Sequence, residues 1–175
     1  MQNNTEEQII LVTEKDEPIG TMEKLVAHEK GFLHRAFSIF VRNSEGKFLL
    51  QERAKTKYHS GGLWTNTCCG HPREGEETLA AAHRRLKEEM GFDCPLEESF
   101  VFHYQAELDH GLKENEIDHV FVGTFDGTAK ANPEEADGWS WKTREEIEKD
   151  VTASPKKYTY WFKVAMEKAK DGNFF

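Results

Sequence analysis

Trp64-Thr-Asn-Thr-Cys-Cys-Gly-His-Pro72, the acidic turn Arg73-Glu-Gly-Glu-Glu-Thr78, and Leu79-Ala-Ala-Ala-His-Arg-Arg-Leu-Lys-Glu-Glu-Met-Gly-Phe92 run without interruption. Leu79, Ala82, Leu86 and Met90 recur at helical spacing, so this stretch predicts one strongly amphipathic helix. Gly91 follows at the position where a left-handed cap ends such a helix. On its polar side Arg84 and Glu88 are four apart, as are Arg85 and Glu89, and each pair can close an ion pair worth a few tenths of a kcal/mol. Just upstream a thiol and an imidazole, Cys69 and His71, flank Gly70. Thiol, imidazole and charged helix thus share fewer than thirty residues.

Outward from this stretch the chain reads as alternating elements. Ile9 to Thr13 is a short β-type run, turned by Lys15-Asp-Glu-Pro18 into a return strand near Ile19 to Glu23. His28 and His34 bracket a loop containing Gly31. Ala36 to Val41 predicts a buried strand, and the turn Asn43-Ser-Glu-Gly46 leads to its hairpin partner, Phe48 to Arg53. Lys55 to Gly62 is a polar loop. Phe100 to Glu107 and Ile117 to Phe125 are rich in aromatic and β-branched residues, as strands are. A loop from Asn132 to Gly138 precedes a short strand, Trp139 to Trp141. Thr143-Arg-Glu-Glu146 is a capping box opening a helix to about Asp150. Ser154-Pro155 supplies a cap and N1 proline for a last helix that buries Tyr158, Phe162, Ala165, Met166 and Ala169. No repeat or linker divides the chain. The expectation is one α/β domain over residues 1–175, a mixed sheet flanked by helices.

Composition narrows the function classes. With 23 basic against 32 acidic residues, a net charge of −9 argues against a surface that coats nucleic acid. It permits an anionic small ligand held by a local cluster of Lys and Arg, or by a metal ion bound to carboxylates. The first seven residues lack both the basic and the apolar segments of a secretory signal, and no apolar run is long enough to span a bilayer. Three cysteines, two of them adjacent, make neither a disulfide framework nor a zinc knuckle, so a reducing cytoplasmic setting is expected.

Gly70, Glu76, Arg84, Glu88, Glu89 and Gly91 together resemble the Nudix box, a glycine, a glutamate six later, then a helix ending Arg-Glu-x-x-Glu-Glu-x-Gly. In Nudix proteins this loop and helix present carboxylates to a divalent ion on a diphosphate, the affinity of a hard cation for oxygen. One position departs: Arg85 stands where the box has a glutamate. The flanks Asn66-Thr-Cys-Cys-Gly-His-Pro72 and Glu114-Asn-Glu116 resemble a branch of that fold, the type I isopentenyl diphosphate isomerases, and the likeness runs from Gly20-Thr-Met-Glu-Lys24 to Trp161.

That resemblance implies a 1,3-proton shift between isopentenyl and dimethylallyl diphosphate in isoprenoid biosynthesis. It implies Cys69 and Glu116 for the proton transfers, with Tyr104 beside Glu116. It implies a metal set of His28, His34, His71, Glu114 and Glu116 suited to zinc, manganese or magnesium, in which the two carboxylates share one strand face. A separate magnesium ion on the diphosphate would be held by Glu89 and the main-chain carbonyl of Cys69. Lys24, Arg53, Lys57 and Arg85 would clamp the diphosphate, which makes sense of a guanidinium where a hydrolase holds metal. Trp161 would cover the substrate tail. Cys68 is read as structural, and His59, His83, His103, His110 and His119 are left outside the site. The expected partner is a small diphosphate, with neither nucleic acid nor membrane, and the expected assembly a monomer or weak dimer. The rival reading is a Nudix hydrolase acting on a nucleoside diphosphate derivative; a third is an inert Nudix scaffold that binds without turnover.

Overall fold

His34-Arg-Ala-Phe-Ser-Ile-Phe-Val-Arg42 forms β3, and the sheet is built around it. The computed structural model describes residues 7–172. Among them one sheet gathers nine strands: β1 (Gln8–Val12), β2 (Pro18–Glu23), β3, β4 (Phe48–Arg53), β5 (Trp64–Thr65), β6 (Cys68–Gly70), β7 (Leu96–Glu107), β8 (Lys113–Thr124) and β9 (Ala136–Lys142). Four helices accompany it: α1 (Lys24–Lys30), α2 (Thr78–Met90), α3 (Arg144–Ala153) and α4 (Tyr160–Gly172).

β3 pairs in parallel with β8 from His34↔Glu116 to Arg42↔Thr124, and antiparallel with β6 at Phe37↔Gly70, Ser38↔Cys69 and Ile39↔Cys68. β7 extends the sheet beyond β8 with Tyr104 opposite Glu116. Alternation along β3 feeds two cores. Phe37, Ile39 and Val41 pack with Leu86 and Met90 of α2. Phe40, on the other face, packs with Ile147 of α3 and Tyr158 and Phe162 near and in α4. The adjacent cysteines split the same way: Cys68 is sealed in the α2 core, whereas Cys69 lies against the α4 core.

Several details differ from the sequence expectations, each for a physical reason. The segment after Glu23 is helical: α1 has only seven residues and no side-chain cap, and Gly31 ends it at φ 71°. His28 is therefore on a helix and His34 at a strand start. Strand β6 is three residues long, too short for an alternation to show. The strands predicted from Phe100 and Ile117 begin earlier, at Leu96 and Lys113, so Glu114 and Glu116 are strand residues. The capping box holds: Thr143 Oγ1 accepts from Glu146 N–H, and Glu146 Oε2 accepts from Thr143 N–H. Ser154-Pro155 opens only the 3-10 turn Pro155–Lys157, and α4 starts at Tyr160. The chain between is pinned to the sheet by Thr159 N–H, which donates to Trp64 O at 3.0 Å, and to α3 by Tyr158 Oη, which donates to Asp150 Oδ2 at 2.7 Å. That pinning sets Trp161 in the first turn of α4, facing the sheet. Among the described residues no helix is long and apolar enough to cross a membrane.

Candidate active site

A cleft opens over the β6–β3–β8 face. Cys69, His71, Glu114, Glu116, Tyr104 and Trp161 line it, together with Lys24, Arg53, Lys57, Arg85 and Glu89. Gly70 lets β6 and α2 meet here: a Cβ at that position would stand 3.0 Å from the Phe37 ring and 3.3 Å from the Arg85 stem. His28 and His34, fully buried, form the floor beneath Glu114 and Glu116. The structure thus brings every side chain singled out from the sequence to one place.

The floor carries the most distinctive geometry. His28 Nδ1 lies 2.7 Å from Lys24 O, and His34 Nδ1 lies 2.8 Å from Phe32 O. A carbonyl can only accept, so each imidazole keeps its proton on Nδ1 and turns a bare Nε2 inward. These lone pairs meet carboxylates. His34 Nε2 is 3.2 Å from Glu116 Oε1, and His28 Nε2 is 3.2 Å from Glu114 Oε2. His28 Nε2 and Glu114 Oε2 are both buried without a hydrogen-bond partner, although they stand so close. His71 Nε2 adds a third nitrogen, 3.0 Å from Glu116 Oε1. Lone pair against carboxylate is repulsive unless a cation lies between. A proton on the imidazoles would serve poorly: burial pushes His28 down and holds His71 at about 4. The ligand atoms of His28, His34, His71 and Glu116 all fall within 4.8 Å of one another, a nitrogen and oxygen set that fits a divalent metal ion.

Above the floor sit the groups able to move protons. Burial pushes the Cys69 thiol up to about 12, so it rests protonated. Burial opposes ionisation of Glu116, yet positive charge shared at its Oε1 with His34 and His71, carried by a proton or a metal ion, holds the carboxyl well below its usual range. Tyr104 Oη donates to Glu116 Oε2 at 2.7 Å. Burial, and the neighbouring charge of Glu116, raise Glu114 in turn. One pocket therefore holds a protonated thiol beside an ionised carboxylate.

The rim is cationic. Lys24 Nζ contacts Glu7 at 3.1 Å and lies 5.3 Å from the centre of the Tyr58 ring. Arg85 reaches Glu88 at 2.7 Å, Glu89 at 2.5 Å and Glu135 at 3.2 Å, and Lys57 pairs with Glu135 as well. Burial opposes the Arg85 charge, but Glu89 and Glu135 more than offset it. Glu89, itself buried, also accepts from Gln51 Nε2 at 2.9 Å, which leaves lone pairs on both oxygens for a further cation. Arg84 closes its pair with Glu88 at 3.3 Å but is held mainly by Glu76, through two contacts of 2.7 and 2.8 Å. Arg53 donates to His59 O and lies 5.3 Å from the centre of the Trp161 ring.

Sequence reasoning missed Glu7, Gln51, Tyr58, His59 and Glu135. His59 is a correction: it was left outside the site, yet it lines the cleft, buried, with Nε2 3.4 Å from Glu114 Oε1. Burial, then the charge of Arg53, keeps its imidazole neutral, down to about 2. Only its adjacency to Lys57 and Tyr58 in a polar loop could have pointed to it.

Compared with known proteins, residues 32–162 match the family model described as NUDIX domain. The chain is 52% identical to an isopentenyl-diphosphate Delta-isomerase of Serratia proteamaculans over 93% of this chain and 90% of that relative. It is 50% identical to isopentenyl-diphosphate Delta-isomerase 2 of Aromatoleum aromaticum, over 93% and 86%. This chain belongs to the isopentenyl-diphosphate Delta-isomerase family. Solved structures share the fold: a MutT NUDIX hydrolase from Burkholderia pseudomallei matches with TM-score 0.62 at 17% identity, covering 77% of this chain and 96% of that one, and DR0079 from Deinococcus radiodurans with TM-score 0.69 at 22% identity, covering 85% and 90%. A MutT protein from Methanosarcina mazei matches with TM-score 0.66 at 21% identity, covering 81% and 95%. The mixed sheet with helices on both faces is therefore that of a Nudix domain. Membership in the isomerase family disfavours the hydrolase alternative.

Proposed function

We infer that this chain interconverts isopentenyl and dimethylallyl diphosphate, in one domain, as a step of isoprenoid biosynthesis. The observation that carries this reading is the placement of the Cys69 thiol and the Glu116 carboxyl in one cleft whose rim is cationic. In the forward direction a proton adds to the terminal alkene carbon and leaves a tertiary cation on its neighbour. Loss of a proton from the next carbon along then forms the internal double bond. Cys69 and Glu116 are the two proton-transfer groups, and whichever gives in one direction takes in the other. Tyr104 holds Glu116 in place and shares its proton. Trp161, buried at the edge of the cleft, offers an indole face to the cationic tail, worth about 0.5–2 kcal/mol.

Lys24, Arg53, Lys57 and Arg85 hold the diphosphate by exchanging their present carboxylate and carbonyl partners for phosphate oxygens. Glu89 and the main-chain carbonyl of Cys69 would hold the magnesium ion that accompanies it. His28, His34, His71, Glu114 and Glu116 would hold a second divalent ion, manganese or zinc or magnesium. Once bound, the ions neutralise phosphate charge and relieve the facing lone pairs of the floor. Three free cysteines support a reducing cytoplasm as the working compartment. The net charge of −9 supports a monomer or weak dimer that takes a small diphosphate and neither nucleic acid nor membrane.

The test is conversion of isopentenyl diphosphate to the acid-labile allylic product by the reduced, metal-loaded chain. Cys69→Ala and Glu116→Gln should each lose at least ~10²–10⁴-fold in turnover. Wild-type turnover in both variants would refute the assignment.

A further inference from the structure

Glu114 is turned between two imidazoles. Its Oε2 faces His28 Nε2 at 3.2 Å, and its Oε1 faces His59 Nε2 at 3.4 Å on the opposite side. The rings of His28 and His59 lie nearly parallel, 5.8 Å apart, with an interplanar angle of 28°. Atoms of His28, His59 and Glu114 form a second cluster within 4.8 Å, sharing His28 with the first.

The two imidazoles differ in one decisive way. His28 has its Nδ1–H fixed on a carbonyl and so presents a bare Nε2. His59 Nδ1 instead lies 3.1 Å from Ser60 Oγ, a hydroxyl that can donate as readily as accept. With Ser60 donating, a neutral His59 carries its proton on Nε2, the atom 3.4 Å from Glu114 Oε1. The surroundings fix this ring. Arg53 Nη2 donates to His59 O at 3.1 Å, Ser60 N–H donates to Asp109 Oδ1 at 3.0 Å, and the Trp161 ring meets it edge-on at 5.9 Å. Ser60 holds a left-handed φ of 52°, a conformation that a non-glycine residue keeps only when its neighbours impose it.

We propose that His59 is a positioning residue of the metal centre: its Nε2–H donates to Glu114 Oε1 and so keeps Oε2 turned toward His28 and the bound ion. The proposal rests on the metal reading of the floor given above and extends it to a side chain outside the five ligands. Buried ligand carboxylates that lose such a hydrogen bond weaken the metal they hold, commonly by 10–100-fold.

The experiment is chelator-competition titration of Zn²⁺ and Mn²⁺ into metal-stripped wild type, His59→Gln and His59→Asn. Glutamine places an amide where Nε2 stands, whereas asparagine reaches only to the Nδ1 position and the Ser60 contact. His59→Gln should bind within about threefold of wild type, and His59→Asn about 10–100-fold more weakly. The thermal midpoints of the three metal-stripped proteins should agree, and pulsed EPR of the Mn²⁺ forms should count the same number of bound imidazoles in each. Equal affinity in both variants and wild type would overturn the proposal. So would a loss in both variants together with one fewer bound imidazole, which would make His59 a ligand. If wild type itself took up no divalent ion, the metal reading would fail first, an outcome separate from either of these.

Discussion

The rim and the floor of the cleft are both crowded with charge, yet they are built on opposite logics. On the rim three of the four cations already have carboxylates: Lys24 has Glu7, Lys57 has Glu135, and Arg85 has Glu88, Glu89 and Glu135, while Arg53 is held by the His59 carbonyl. Opposite signs meet there, and the side chains of Lys24, Lys57 and Arg85 are 13–16% exposed. Such pairs trade partners readily, because a phosphate oxygen can replace a carboxylate oxygen without leaving a buried group unpaired. On the floor, acceptor faces acceptor. The bare nitrogens of His28 and His34 point at Glu114 and Glu116 in surroundings that exclude water, and two of those atoms have no hydrogen-bond partner. Lys24, Lys57 and Arg85 are already paired within the protein, and of the rim cations only Arg53 has a buried nitrogen, Nε, without a partner among the described residues. The floor is complete only with a cation in it.

The largest effect that separates the two regions should come from stripping metal. Prolonged chelation should abolish isomerisation, and added Mn²⁺, Zn²⁺ or Mg²⁺ should restore it while raising the thermal midpoint with metal concentration. Full turnover in excess chelator would remove the floor from the chemistry. A smaller loss should follow from the rim. Arg85→Glu sets a carboxylate among Glu88, Glu89 and Glu135 and removes a fork of charge-assisted bonds worth about 1.5–3 kcal/mol each. Steady-state kinetics should show kcat/KM falling by roughly 10–10²-fold or more, at ~1.4 kcal/mol per decade. An unchanged kcat/KM would show that Arg85 belongs to the helix alone. The smallest effect is expected at Cys68, next to Cys69 but on the far face of the sheet. Cys68→Ala should keep turnover within about twofold while denaturant unfolding reports a loss of about 0.5–3 kcal/mol. A collapse of activity in a folded Cys68→Ala protein would undo the division of the two thiols.

What the sequence made legible follows from how local each signal is. Gly70 through Gly91 carry a loop, a helix and its cap in consecutive residues, so α2, Arg85 and Glu89 could be placed before any coordinates. The spacing of Glu114 and Glu116 gives them one face on a strand, but the strand read from the sequence began only at Ile117, and the structure extends it to Lys113 to include them. Helix α1 could not, because seven residues without a capping side chain leave too little periodicity to separate from a loop. The partners of the rim were invisible for another reason. Glu135 meets Lys57 across 78 positions, and Glu7 meets Lys24 across 17, so the fold alone brings them together. His59 lay in a polar loop whose composition says nothing of burial, and the structure places it within reach of Glu114. The start of α4 slipped by five residues because Ser154-Pro155 is a sound helix opening that the sheet overrides at Thr159.

Proton transfer through two side chains, Cys69 and Glu116, predicts that solvent hydrogen enters the product. Isopentenyl diphosphate turned over by the metal-loaded chain in D₂O should yield dimethylallyl diphosphate with deuterium in the methyl group formed from the terminal alkene carbon, read by NMR. Allylic product free of solvent deuterium, or release of phosphate in place of allylic product, would contradict the account.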